Sequence, residues 1–205
     1  PGNYFVSTNV PINSNSARVS TGSRLILNGS IVPGSQSRQS YLRAASGHNT
    51  SSTHWQGLIE GVTSGQTLEV ETFRDAVAAT AINPAGFSSS LSIEKIENTE
   101  YISLRATNVV LGTNWNQTSQ VNWTTQNFAD GLIFSHSVSL NSHEIEVLQD
   151  GEYFISYSDN LTSTSQRPNV AVKVLINGFE TGLNCKSHYS RGLSGHNNSS
   201  CSISG

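Results

Sequence analysis

The chain has 205 residues, and only 12% of them are Asp, Glu, Lys or Arg, half the roughly 25% of an average globular protein. Hydrophobic residues make up 35% and the formal net charge is −3. No run approaches the ~20 apolar residues of a membrane-spanning helix, and no basic excess exists to neutralise phosphates, so neither membrane insertion nor nucleic-acid binding is expected. Ser, Thr, Asn and Gly fill the composition, while regularly spaced apolar segments set the chain apart from a disordered one. The sequence contains no Met, so Pro1 is read as an internal residue of a longer precursor.

Alternation and β-branched content predict short strands at about 3–8, 22–28, 38–44, 53–61, 67–73, 88–96, 101–109, 131–138, 143–148, 152–158, 170–177, 184–190 and 199–204. Turn signals stand between them at Asn28-Gly29, Pro33-Gly34, Ser64-Gly65, Pro84-Ala85-Gly86, Asp150-Gly151 and Asn177-Gly178. Asn-Gly between apolar runs marks a hairpin. Only Arg74–Ile82 (RDAVAATAI) reads as helical, and an Ala-rich strand or loop fits it equally. Many short, evenly spaced strands predict an all-β protein built as an antiparallel sandwich or jelly roll.

The sequence repeats itself. Residues 2–29 open GNYFVSTNV and close RLILNG; residues 151–178 open GEYFISYSD and close KVLING. At one fixed shift Gly2, Tyr4, Phe5, Ser7, Arg18, Asn28 and Gly29 meet Gly151, Tyr153, Phe154, Ser156, Arg167, Asn177 and Gly178. After a one-residue deletion SYLRAASGHNTSS (40–52) meets HYSRGLSGHNNSS (188–200). The period is about 149 residues, so the chain holds one period and part of another. The expected division is a first unit over 1–100, without a counterpart of 101–149, and a second over 101–205, without a counterpart of 58–100. The chain is then either a window of a longer tandem array or a subunit of two incomplete units. An incomplete sandwich leaves unpaired N–H and C=O groups along an edge, which recruits a strand. Copies of the chain, joined head to tail, are therefore the expected partner.

Reordered as 101–205 followed by 58–100, the pieces make one unit that resembles the jelly roll shared by the complement C1q globular head and tumour necrosis factor. The resemblance rests on Ile145-Glu146-Val147-Leu148-Gln149-Asp150-Gly151-Glu152-Tyr153-Phe154-Ile155-Ser156-Tyr157, on Val170–Gly178 ending in Asn-Gly, on Gly65–Val70 (GQTLEV), and on the alternating Phe87–Ile96. It implies jelly-roll units in tandem, each open to completion by a neighbour. Tyr4/Phe5 and Tyr153/Phe154 place two rings on opposite faces of a strand, and core packing is the expected role of both pairs.

Catalytic spacing is absent: the sequence holds no HExxH, GxSxG, P-loop or GxGxxG pattern. Glu69/Glu71 and His143-Glu144-Ile145-Glu146 read as solvated strand faces rather than as an acid pair or metal ligands. No catalytic residue, metal or cofactor is expected. The best site candidate is the repeated Tyr-x-Arg-x-x-Ser-Gly-His-Asn loop, with Tyr41, Arg43, His48 and Asn49 in one copy and Tyr189, Arg191, His196 and Asn197 in the other. As a glycan- or protein-contact loop it would stack Tyr and donate from Arg and His; as a structural loop its Asn and His bond to backbone. Trp55 reads as core, Trp115 and Trp123 as core or as an interface or sugar platform.

Cys185 and Cys201 flank the turn signal Arg191–Gly195, and strands folding about it would bring them opposite each other as a cross-strand disulfide. Unpaired buried thiols are the alternative, and metal binding is not expected. A disulfide and a surface polar through hydroxyls and amides suit an extracellular or cell-surface protein, and the Asn-X-Ser/Thr acceptors at Asn28, Asn49, Asn116, Asn122, Asn160, Asn197 and Asn198, common by chance in so Asn- and Ser-rich a chain, permit glycosylation without being evidence of it. The leading expectation is a non-enzymatic structural protein of a surface fibre or adhesive stalk. A secreted carbohydrate-binding module and, behind it, a sandwich-fold glycan-active enzyme are the competing readings.

Overall fold

The structure, a computed structural model, describes residues 1–14, 19–42, 45, 49–74, 82–84, 89–106, 120–162, 171–186 and 198–205. In chain order the described strands are β1 (Gly2–Ser14), β2 (Val19–Leu27), β3 (Ser30–Ile31), β4 (Ser37–Leu42), β5 (Thr50–Val62), β6 (Leu68–Arg74), β7 (Ile82–Pro84) and β8 (Ser90–Ile96). There follow β9 (Ile102–Arg105), β10 (Thr125–Ala129), β11 (Phe134–Ser135), β12 (Glu146–Val147), β13 (Ser156–Thr162), β14 (Ala171–Ile176), β15 (Phe179–Lys186) and β16 (Asn198–Ser204). The protein is all-β with antiparallel sheets. Residues 75–81, the heart of the segment read as helix, strand or loop, lie outside the described residues.

The chain divides into two compact units, one formed by Pro1–Lys95 with Phe154–Gly205 and the other by Ile96–Tyr153. In the first unit β1 lies between β5 and β7 and also pairs with β8, while β2 pairs with β3, β4 and β6. Side chains alternate across a strand, so β1 turns Val6, Thr8, Val10, Ile12 and Ser14 inward. Val6, Leu25, Val32, Trp55 and Ile59 form one core, on which Tyr4, Leu27, Val62, Leu68 and Val70 pack. Val10, Ile12 and Leu42 form a second. Both draw residues from the β1–β5 and the β2-centred sheets, so the two sheets pack against each other. Buried hydroxyls share this interior, Thr8, Ser23, Ser37 and Thr53 among them, which is where the polar composition is spent.

The repeat keeps its pairing register. Val10↔Thr53 in β1–β5 corresponds to Asp159↔Cys201 in β13–β16. Gly22↔Arg38 and Ser23↔Ser37 in β2–β4 correspond to Ala171↔Lys186 and Val172↔Cys185 in β14–β15. Ile26↔Ile31 and Leu27↔Ser30 correspond to Leu175↔Glu180 and Ile176↔Phe179. Both hairpins turn on Asn-Gly with positive φ at each residue, 49° and 79° at Asn28-Gly29, 51° and 83° at Asn177-Gly178. This is the type I′ turn that matches the twist of the flanking strands. The two copies meet inside the first unit. Ser200 Oγ accepts from the Arg38 N–H (2.9 Å) and donates to the Arg38 carbonyl (2.7 Å), and Gln56 Nε2 donates to the Ile203 carbonyl (2.7 Å).

The second unit is the smaller, Ile96–Tyr153. β9 pairs with β10 and β11 with β12. The Tyr101 and Phe128 rings lie 4.5 Å apart, and Phe134 meets Tyr153 edge to face at 5.7 Å. Asp130 holds the turn between β10 and β11, its carboxylate accepting the Leu132 N–H (2.9 Å) and its carbonyl the Ile133 and Phe134 N–H groups.

Among the strand expectations that change, three bear on the packing. β1 continues through Pro11 to Ser14, because the inward series Val10, Ile12, Ser14 outweighs one missing N–H. β10, in the polar run TQNFA, has no apolar alternation to announce it. Tyr153 and Phe154 precede β13 rather than entering it, and the expected core role fails for them. Tyr4 and Phe5 lie opposite Ile59 and Leu58 of β5, whereas the β13–β16 ladder reaches only Ile155 and Gly205. Phe154, 65% exposed, leans edge-on against Phe5 at 5.4 Å.

Candidate interaction surface

The repeated loop falls largely outside the described residues: Arg43, His48, Tyr189, Arg191, His196 and Asn197 are not among them. Tyr41 is described through its backbone, in β4. Asn49 does what a structural loop residue does. Its carbonyl accepts the Ser14 N–H (3.0 Å) and its side-chain amide donates to Asn13 Oδ1 (3.5 Å). Trp55 is core as expected, its indole N–H donating to the Gly34 carbonyl (2.9 Å). Trp123 is half-buried, its backbone N–H donating to the Ser142 carbonyl (3.0 Å), and Trp115 lies outside the described residues. Among the described residues no three His, Cys, Asp or Glu gather in a metal-binding group.

Cys185 and Cys201 are joined in a disulfide, with Cα atoms 5.9 Å apart. The expected geometry is corrected: the cysteines do not face each other across a hairpin. Cys185 lies opposite Val172 and Cys201 opposite Asp159, so the bond ties the β14–β15 pair to the β13–β16 pair. The same two positions in the first copy are Ser37 and Thr53. There the sheets are joined at this level by a hydrogen bond between the Ser23 and Thr53 hydroxyls (2.7 Å).

Beside the disulfide, Asp159 stands where the first copy has buried Val10. The Tyr157 hydroxyl donates to its Oδ2 (2.7 Å). Burial pushes the Asp159 carboxyl above the usual carboxylate range, and the bond from Tyr157 only partly restores it. Burial and the adjacent carboxylate raise the Tyr157 phenol in turn. A raised folded-state pKa means that folding favours the protonated acid: this stabilisation is present at acid pH and is lost as pH rises through the folded value. Asp159→Asn, which removes the charge and can still accept from Tyr157, is expected to raise the melting temperature at pH 7, at roughly 2–4 °C per kcal/mol gained. The gain should shrink toward pH 4 in calorimetric scans; a gain independent of pH would contradict the assignment.

The copies differ most at the edge of β14. In the first copy β6 covers the corresponding edge of β2, pairing from Thr21↔Arg74 to Leu27↔Leu68. Leu68 and Val70 pack onto the core. On the outer face Arg24 Nε donates to Glu71 Oε2 (2.7 Å), which lowers the Glu71 pKa. The Phe73 ring lies 5.3 Å from the Arg24 guanidinium and 5.2 Å from that of Arg38, above Gly22. Among the described residues β14 pairs with β15 alone and β13 with β16 alone, whereas β1 also pairs with β7 and β8. Leu175 (46% exposed), Ile176 (60%) and Phe179 (78%) are left open to solvent. The low apolar content of the sequence hides this surface, which emerges only when the two copies are compared strand by strand.

Comparison with protein-family models and with curated proteins finds no match to this chain.

Proposed function

We propose that the protein is a non-enzymatic extracellular structural protein, a subunit or repeat unit of a surface fibre or adhesive stalk. Its units are jelly rolls, and copies join through β-strand complementation. The observation that carries this reading is the β14–β15 sheet, which among the described residues is two-stranded with apolar side chains exposed, in the same register as a first-copy sheet that has β6 on its edge. Unpaired sheet edges with exposed apolar side chains associate with further strands. A heterologous contact of this kind, repeated without closing, makes a filament. The Cys185–Cys201 disulfide supports an oxidising, extracellular setting.

Electron microscopy at rising protein concentration tests the proposal. Filaments are expected, and they should melt at a higher temperature than the dilute chain, since completion adds ladder bonds and buries apolar surface. A discrete particle at all concentrations, retained on a glycan array, would replace the fibre with the carbohydrate-binding reading.

A further inference from the structure

We infer that the outer edge of β14 binds, in antiparallel register, an extended partner segment whose apolar residues alternate with carboxylates. The inference rests on the assembly reading and specifies the contact that reading needs. The first copy supplies the template. Transferring the β2–β6 register places the Leu68, Val70 and Thr72 positions of the incoming strand opposite Ile176, Val174 and Val172, and the Glu69 and Glu71 positions opposite Leu175 and Lys173. Apolar side chains then meet apolar side chains on the inner face. On the outer face, the cations that hold Glu71 and flank Phe73 in the first copy, Arg24 and Arg38, are replaced by Lys173 and Lys186. Positive charge is retained at both places although the chain has only three lysines. Lys173 is ion-paired with Glu180, and both side chains are solvent-exposed, so an arriving carboxylate competes with Glu180 for the lysine, while Lys186 supplies the second cation.

One difference gives the site its own preference. Gly22 becomes Ala171, and a Cβ at Gly22 would lie 2.3 Å from the Phe73 ring. The β14 edge therefore favours a smaller side chain than Phe at that position. The chain's own β6 is already seated on β2, and a second copy could offer it only by vacating that place. The occupant is therefore a free segment of the same pattern in a second copy, outside that copy's own β2–β6 pair, which docks without that loss.

The test uses the whole chain and labelled peptides spanning residues 65–75, read by fluorescence anisotropy and by hydrogen exchange. The Phe73→Val peptide is expected to bind several-fold more tightly than the unaltered one, and Ala171→Gly in the protein to remove that difference. Lys173→Glu should weaken both peptides about tenfold, and a Glu69→Pro peptide, which lacks a ladder N–H in the Ile26↔Glu69 register, should not bind. Bound peptide should slow exchange at the amides of 171–176 that point away from β15. Protection confined to 21–27, no protection at all, or the same peptide preference in the wild-type and Ala171→Gly proteins would overturn the inference. Filaments that form unchanged in saturating peptide would overturn the edge site and leave the fibre standing. Peptide docking at 171–176 by a chain that never forms filaments would do the reverse.

Discussion

Loss of the Cys185–Cys201 disulfide is expected to destabilise the protein by about 3 kcal/mol, the chain-entropy value for a loop of about 15 residues; the cysteines are 16 residues apart. At roughly 2–4 °C per kcal/mol, the melting temperature should fall by about 6–12 °C. The position of the bond makes the loss local. A two-stranded sheet is marginal alone, and the disulfide links β14–β15 to β13–β16 where the first copy relies on its core and on the Ser23–Thr53 hydrogen bond. Exchange should therefore quicken in 171–186 well before β1 and β5 respond. Calorimetry of the Cys185→Ser/Cys201→Ser variant measures the first effect. Thiol labelling of the unfolded, unreduced chain should detect no free thiol, and an unchanged melting temperature would contradict the role assigned to the bond.

Trp55→Ala is expected to cost about 3–5 kcal/mol, the range for removing a buried Trp. Trp55 is 5% exposed and lies in the larger core with Val6, Leu25, Val32 and Ile59. Its ring also covers Gly57, where a Cβ would meet it at 2.7 Å. Trp55→Phe keeps a ring in the core and loses the bond to the Gly34 carbonyl, so it should cost less, about 1–2 kcal/mol. Urea denaturation of the two variants measures both values. Equal costs would mean that the hydrogen bond, not the packing, dominates.

The repeat was legible because hairpin chemistry is local. Asn-Gly at 28–29 and at 177–178 adopts the same positive φ pair, and the strands on either side keep one register. Alternation also announced β6, with Leu68 and Val70 inward and Glu69 and Glu71 outward. Less was legible where pairing is long-range. The two cysteines suggested a hairpin because they flank a turn signal, but Cys185 belongs to the local β14–β15 hairpin while the strand of Cys201 pairs with β13, a long-range partner that sequence proximity does not encode. Phe154 repeats Phe5 in the sequence, yet its environment depends on whether a strand lies opposite, and β16 does not reach it. The β14 edge had no signal of its own. Its residues are ordinary strand residues, and only the presence of β6 on β2 shows that, among the described residues, the corresponding edge of β14 is uncovered.

Among the described residues no strand lies on the β14 edge where β6 lies on β2, and the proposal is that assembly supplies one. Hydrogen exchange on dilute chain and on concentrated, sedimented assemblies tests it most directly. Amides 21–27 of β2 should exchange slowly in both, whereas the amides of 171–176 turned away from β15 should exchange fast in the dilute chain and slowly in the assembly. Equal protection of those β14 amides in both states would contradict the account.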